Sequence, residues 1–106
     1  MNEDIAADSF AALGHPTRLR IFRALVRAGD AGAPVGALQD ALGIPASTLT
    51  HHIRTLMNAG LVHQERQGRV LTTRADYAAM RGMIDFLTEK CCQGIAETET
   101  RELENA

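Results

Sequence analysis

An α+β domain of order ααααββα, a helix-turn-helix followed by a β-hairpin wing, is the fold class that the sequence predicts. Three observations carry the prediction. Two short helical stretches, "VGALQDALG" and "ASTLTHHIRTLMNAG", meet across the tight connection "IPA". The apolar period then changes to that of strands on either side of Gln67-Gly68-Arg69, and a long amphipathic stretch follows from Asp76. At 106 residues the chain is one small domain with a thin core.

Residues 2–13 form the first helix, with Ile5, Phe10 and Leu13 apolar. Pro16 suits the first turn of a second helix that ends at Gly29, where a left-handed cap is cheap. Ile21, Phe22 and Leu25 share its packing face, while Arg20, Arg23 and Arg27 share the other. "DAGAP" reads as a loop, and the third helix presents Leu38 and Leu42 one turn apart. Pro45 opens the fourth, which turns Leu49, Ile53 and Leu56 inward and leaves Ser47, Thr48, Thr50, His51, Arg54, Thr55 and Asn58 on its other sides. In the hairpin "LVHQERQGRVLTTR", Gly68 reaches the positive φ that a tight turn asks for. Asp76 is a natural N-cap for the last helix, expected to run to Gln93 or beyond. Its stripe of Tyr77, Met80, Ile84, Leu87, Cys91 and Ile95 is too long for one thin domain to cover, which predicts a homodimer seam.

The net charge of −2 conceals a division along the chain. Residues 1–14 hold three acids and no base, and residues 75–106 hold seven acids against three bases. Between them, residues 15–74 carry eight arginines against Asp30, Asp40 and Glu65. Arginine suits forked contacts to phosphate and guanine, so the basic middle points to nucleic acid; a solvated charged surface is the plain alternative. No apolar run approaches membrane-spanning length, and the acidic start "MNEDIAADS" is unlike a secretory signal. Two neighbouring cysteines cannot staple distant parts of a fold, which points to a reducing cytoplasm. No base–nucleophile spacing and no phosphate-binding glycine loop marks an enzyme, so none is expected.

The stretches "ALGHPTRLRIFRAL", "LGIPASTLTHHIRTLMNAGLV" and the "RQGR" wing resemble the ArsR/SmtB family of bacterial winged-helix repressors over nearly the whole chain. The resemblance implies a homodimer joined through the first and last helices, here residues 1–14 and 76–97. It also implies that the helix-turn-helix of residues 35–59 and the wing of residues 61–74 bind double-stranded operator DNA. An acidic tail, residues 98–106, follows. Such repressors leave their operator when a metal, metalloid or other inducer binds, and need no resident cofactor. Two familiar inducer sites have no counterpart here: the third helix lacks cysteine, and residues 76–97 lack histidine. "TEKCCQG" instead resembles the adjacent cysteines of some arsenite-responsive members, although this chain has no further cysteine.

Ser47, Thr48, Thr50, His51 and Arg54 are thus the residues expected at base edges and flanking phosphates of an inverted-repeat operator, with Arg66 and Arg69 at the wing tip reaching phosphate or the minor groove. His51 and His52 point about 100° apart on a helix, so a shared metal is disfavoured and His52 is expected to brace the helix. His15 and His63 read as turn and strand-edge residues, and Met57, Met80 and Met83 as core or seam. In a regular helix Cys91 repeats the direction of Ile84, on the apolar stripe, whereas Cys92 repeats that of Asp85, on the polar side. Their sulfurs would diverge, and adjacent α-carbons about 3.8 Å apart lie below the usual span of a disulfide. Two soft thiolates suit trivalent arsenic, trivalent antimony or cadmium, bound at the cost of loosening the last turns. The alternatives are a packing pair without inducer role, a regulator with a redox, small-molecule or no inducer, and a winged helix used for protein–protein contact.

Overall fold

Asn2 starts the first helix: its side-chain oxygen accepts the N–H of Ile5 at 2.8 Å, satisfying a donor that the first turn leaves free. In the computed structural model, which describes residues 1–95, this helix is α1 (Glu3–Leu13). The second, α2 (Pro16–Ala28), has Pro16 in its first turn and His15 as its cap, the imidazole Nδ1 accepting the N–H of Thr17 at 3.1 Å. A two-residue strand, β1 (Ala33–Pro34), precedes α3 (Val35–Leu42) and α4 (Ala46–Asn58). The hairpin β2 (Val62–Gln67) and β3 (Val70–Ala75) leads into α5 (Tyr77–Thr88).

The order is therefore ααβααββα rather than ααααββα: the predicted "DAGAP" loop holds an edge strand. β1 pairs antiparallel with β3 through Ala33 opposite Thr73 and Pro34 opposite Thr72, giving a sheet of order β1-β3-β2. Two residues, one of them Pro and preceded by Gly32, carry no strand period, so only the pairing reveals them. Gly32 permits it, because a Cβ there would stand 2.5 Å from the Thr73 carbonyl oxygen and from Arg74 Cγ. At the hairpin tip Gly68 takes φ +63°, as its place in the turn requires.

Ile21, Phe22 and Leu25 of α2 meet Leu38 of α3 and Leu49, Ile53 and Leu56 of α4, with Leu61, just before β2, and Val62 of β2 closing the core. Each such side chain contributes about 1.5–3 kcal/mol by leaving water. The core therefore fixes α4 against α2 and turns its polar side outward. Tyr77 ties α5 to this core, its hydroxyl donating to the carbonyls of Val26 at 3.1 Å and Leu25 at 3.3 Å.

The last helix departs from its predicted bounds of 76–97. α5 stops at Thr88, and residues 89–92 form turns, with Cys91 N–H donating to the Thr88 carbonyl and Gln93 N–H to that of Lys90. Lys90 and Cys92 adopt left-handed φ of 56° and 64°. Within the chain the buried face of α5 ends with Met83, and Thr88, the two cysteines and Gly94 are weak helix formers. Cys91 consequently leaves the apolar stripe. Residues 96 and 97 of the predicted helix and the acidic tail lie outside the described residues.

Candidate nucleic-acid interface and thiol site

Packing of Leu49, Ile53 and Leu56 against α2 leaves Ser47, Thr48, Thr50, His51 and Arg54 together on the exposed side of α4. These five residues form one surface of donors and acceptors along the N-terminal half and middle of the helix. Beside it, Thr50, Arg54 and Asn58 of α4 and Gln64 and Leu71 of the hairpin line a cleft of about 270 Å³. Arg66 and Arg69, exposed at the end of the hairpin, extend the surface with long cations.

Charge pairing keeps most of these cations available. Among the described residues Arg74 pairs with Glu65 at 3.4 Å, and the His63 imidazole meets the Asp76 carboxylate at 2.7 Å. Arg54, Arg66 and Arg69 have no carboxylate partner there. Glu65 thus neutralises Arg74 within the wing and leaves its tip cationic.

His52 lies buried between α4 and the start of α2. It is 8% exposed and its ring lies 4.7 Å from that of His15, the residue capping α2, with His51 5.5 Å away on the outer side. Its Nδ1 is buried without a hydrogen-bond partner. Burial first, then the nearby His15, Arg18 and His51, holds its pKa below the ordinary histidine value of 6.5. Among the described residues no three His, Cys, Asp or Glu side chains converge to hold a metal ion.

The sequence did not reveal the role of His63. Its Nε2 meets Oδ2 of Asp76 at 2.7 Å, while the other carboxylate oxygen of Asp76 caps α5 by accepting the N–H of Ala79 at 2.8 Å. These hydrogen bonds, that of His63 foremost, hold the Asp76 carboxyl below its usual value. Asp76 was legible as a cap, but only the hairpin register, with Val62 opposite Ala75, brings His63 to it.

Both cysteines are exposed and outside any helix, and their Sγ atoms converge to 3.3 Å instead of diverging. The turn explains this. Glu89 (φ −54°, ψ 128°) and Lys90 (φ 56°) make a turn of type II form, and Cys92 is left-handed as well, so the two thiols no longer keep helical directions. Two sulfurs at this distance can be bridged by one soft ion with metal–sulfur bonds of about 2.3 Å. On the same end of α5, Ile84 is 53% and Leu87 67% exposed, and Ile5 of α1 is also exposed.

Comparison with known proteins bears on the family and the fold. The family model described as a helix-turn-helix domain matches residues 13–65, half of the chain. An uncharacterised HTH-type transcriptional regulator of Methanocaldococcus jannaschii is 38% identical over 63 residues, which cover 59% of this chain and 68% of that protein. The structure of an ArsR-like transcriptional regulator from Rhodococcus sp. RHA1 superposes with a TM-score of 0.73 at 27% identity, over 95% of this chain and 89% of that one. A second structure, described as a possible transcriptional regulator for arsenical resistance, gives a TM-score of 0.63 at 26% identity over 93% and 96%.

Proposed function

Since this chain belongs to the ArsR family of winged helix-turn-helix transcriptional regulators, we propose that it is a homodimeric repressor released from its operator by a thiophilic ion at Cys91 and Cys92. The operator is an inverted repeat of double-stranded DNA. Ser47, Thr48, Thr50, His51 and Arg54 read base edges and grip flanking phosphates in the major groove, while Arg66 and Arg69 contact phosphate or the minor groove. The exposed apolar residues Ile5, Ile84 and Leu87 support a seam built from α1 and α5. The protein needs no resident cofactor, and trivalent arsenic, trivalent antimony or cadmium is the inducer.

The convergence of the two sulfurs at 3.3 Å carries the inducer reading. It also gives the loosening expected from sequence a definite form, the turn after Thr88. In a helix continued past Thr88 the thiols would point about 100° apart, whereas in the turn they face one ion. An ion that bridges both binds the turn and not the continued helix, so it shifts the population towards the shortened α5. That end of α5 carries the exposed Leu87, so its geometry is coupled to the seam and, through the seam, to the spacing of the two recognition helices. Water, hydroxide, a methyl group already on the arsenic or a small thiol completes the coordination of arsenic.

Fluorescence anisotropy of the protein on its own upstream DNA tests both halves. Tight, salt-dependent binding by wild type, release on adding arsenite, and loss of that release in Cys91→Ser and Cys92→Ser are expected. Equal release in all three proteins would remove the cysteine pair from the mechanism.

A further inference from the structure

The same turn places two exposed thiols in contact within one chain, a geometry that invites a covalent reaction as well as an ion. Their sulfurs lie 3.3 Å apart, while a disulfide requires about 2.05 Å, so closing the bond asks for a movement of little more than about 1 Å. On a continued helix the bond would be out of reach, because sulfurs on adjacent helical residues diverge. The left-handed backbone at Lys90 and Cys92 removes that obstacle. We propose that Cys91 and Cys92 form a reversible vicinal disulfide, with a low-molecular-weight disulfide such as that of glutathione as the oxidant.

The exchange balances without any other reagent. One of the two thiolates attacks a sulfur of the oxidant, forming a mixed disulfide and expelling one small thiolate. The neighbouring thiolate then attacks the protein-side sulfur of that mixed disulfide, forming the Cys91–Cys92 bond and expelling the second small thiolate. Each cysteine gives up one proton and one electron, and the oxidant is reduced to two thiols. Exposure of both sulfurs admits the oxidant, and their contact makes the second step intramolecular.

Adjacent α-carbons, about 3.8 Å apart, hold such a bond under strain. Strained and exposed disulfides are the ones that ambient thiols reopen, which suits a signal rather than a staple. Oxidation would also consume both donors, so the oxidised chain is closed to a thiophilic ion. The turn would then answer to two chemistries, one excluding the other. The disulfide itself does not depend on the inducer reading.

The full-length reduced protein, titrated with oxidised glutathione and followed by intact mass under non-reducing conditions, tests this. Wild type is expected to become lighter by two hydrogens, to lose both iodoacetamide-reactive thiols, to run as a single chain on a denaturing gel and to recover with dithiothreitol. Cys91→Ser and Cys92→Ser are expected to stop at one glutathione adduct each, since the second thiol is missing. A wild-type protein that keeps its thiols, retains glutathione or forms chain-to-chain disulfides would overturn the proposal. Adding phenylarsine oxide to the reduced and oxidised proteins separates the two readings. Uptake by the reduced chain alone is expected; if the disulfide forms but the reduced chain takes no arsenical, the inducer reading fails and the disulfide stands.

Discussion

Arg54 stands exposed in the middle of α4, with Thr50 one turn before it and no carboxylate partner among the described residues. A guanidinium so placed can grip a guanine edge with two hydrogen bonds. Arg54→Ala should therefore weaken specific operator binding by about 1–3 kcal/mol, while binding to unrelated DNA changes far less. Equal weakening on both DNAs, measured by anisotropy, would reassign Arg54 to phosphate. His52, one face away, predicts a pH effect instead. Its folded pKa lies below 6.5, so between that folded value and 6.5 the unfolded chain takes up a proton that the folded chain refuses. Its contribution to stability is complete above 6.5 and is lost as the pH falls towards the folded value. Thermal unfolding midpoints should drop over that window in wild type. The drop should shrink in His52→Phe, which keeps a ring against His15 but cannot titrate. An equal drop in both proteins would place the effect elsewhere.

At the scale of elements, the wing is a hairpin whose internal charges are arranged to leave its tip positive. Glu65 reaches Arg74 across the strands, while Arg69 stands in the turn beside Gly68 and Arg66 just below the last ladder pair, Gln67 opposite Val70. Contacts from such a tip would act through charge rather than base pattern. Arg69→Ala should lower affinity for all sequences and reduce the slope of log K against log salt by about one for each phosphate that a subunit no longer neutralises. An unchanged salt slope would show that the tip stays off the DNA. The α5 N-cap joins this element to the next: Asp76 holds His63 of β2 with one oxygen and the first turn of α5 with the other. Wing and α5 are thereby linked through a single carboxylate.

At the scale of the whole molecule, α1 and α5 expose Ile5, Ile84 and Leu87, a surface that has reason to be covered. Covering it with the same surface of a second chain produces a two-fold dimer, and with it two recognition helices that meet half-sites about one helical turn, or a multiple, apart. Leu87→Glu places a charge in that seam without touching the core. Sedimentation should show a shift to monomer, with operator affinity reduced by about a hundredfold or more as the two half-sites are no longer bound together. A variant that remains dimeric with full affinity would move the seam away from α5.

Much of this architecture was legible because local periods report which face packs. The triplets Ile21-Phe22-Leu25 and Leu49-Ile53-Leu56 named the core faces of α2 and α4 directly, and so named the exposed polar face by difference. Pro16, Pro45, Gly68 and Asp76 marked boundaries because backbone chemistry constrains each of them alone. What the sequence determined by itself is therefore the helix-turn-helix, the wing and the exposed polar face of α4. Only the tertiary structure decided β1, since two residues acquire strand character by pairing with β3 and not by any pattern of their own. Only it brought His63 to Asp76, through a register that spans the hairpin. It also ended α5 at Thr88, because the buried face within the chain has stopped by then and Thr88, the two cysteines and Gly94 have little helix propensity of their own. The position of the two sulfurs follows from that early end: the same pair of cysteines diverges on a helix and converges in a turn.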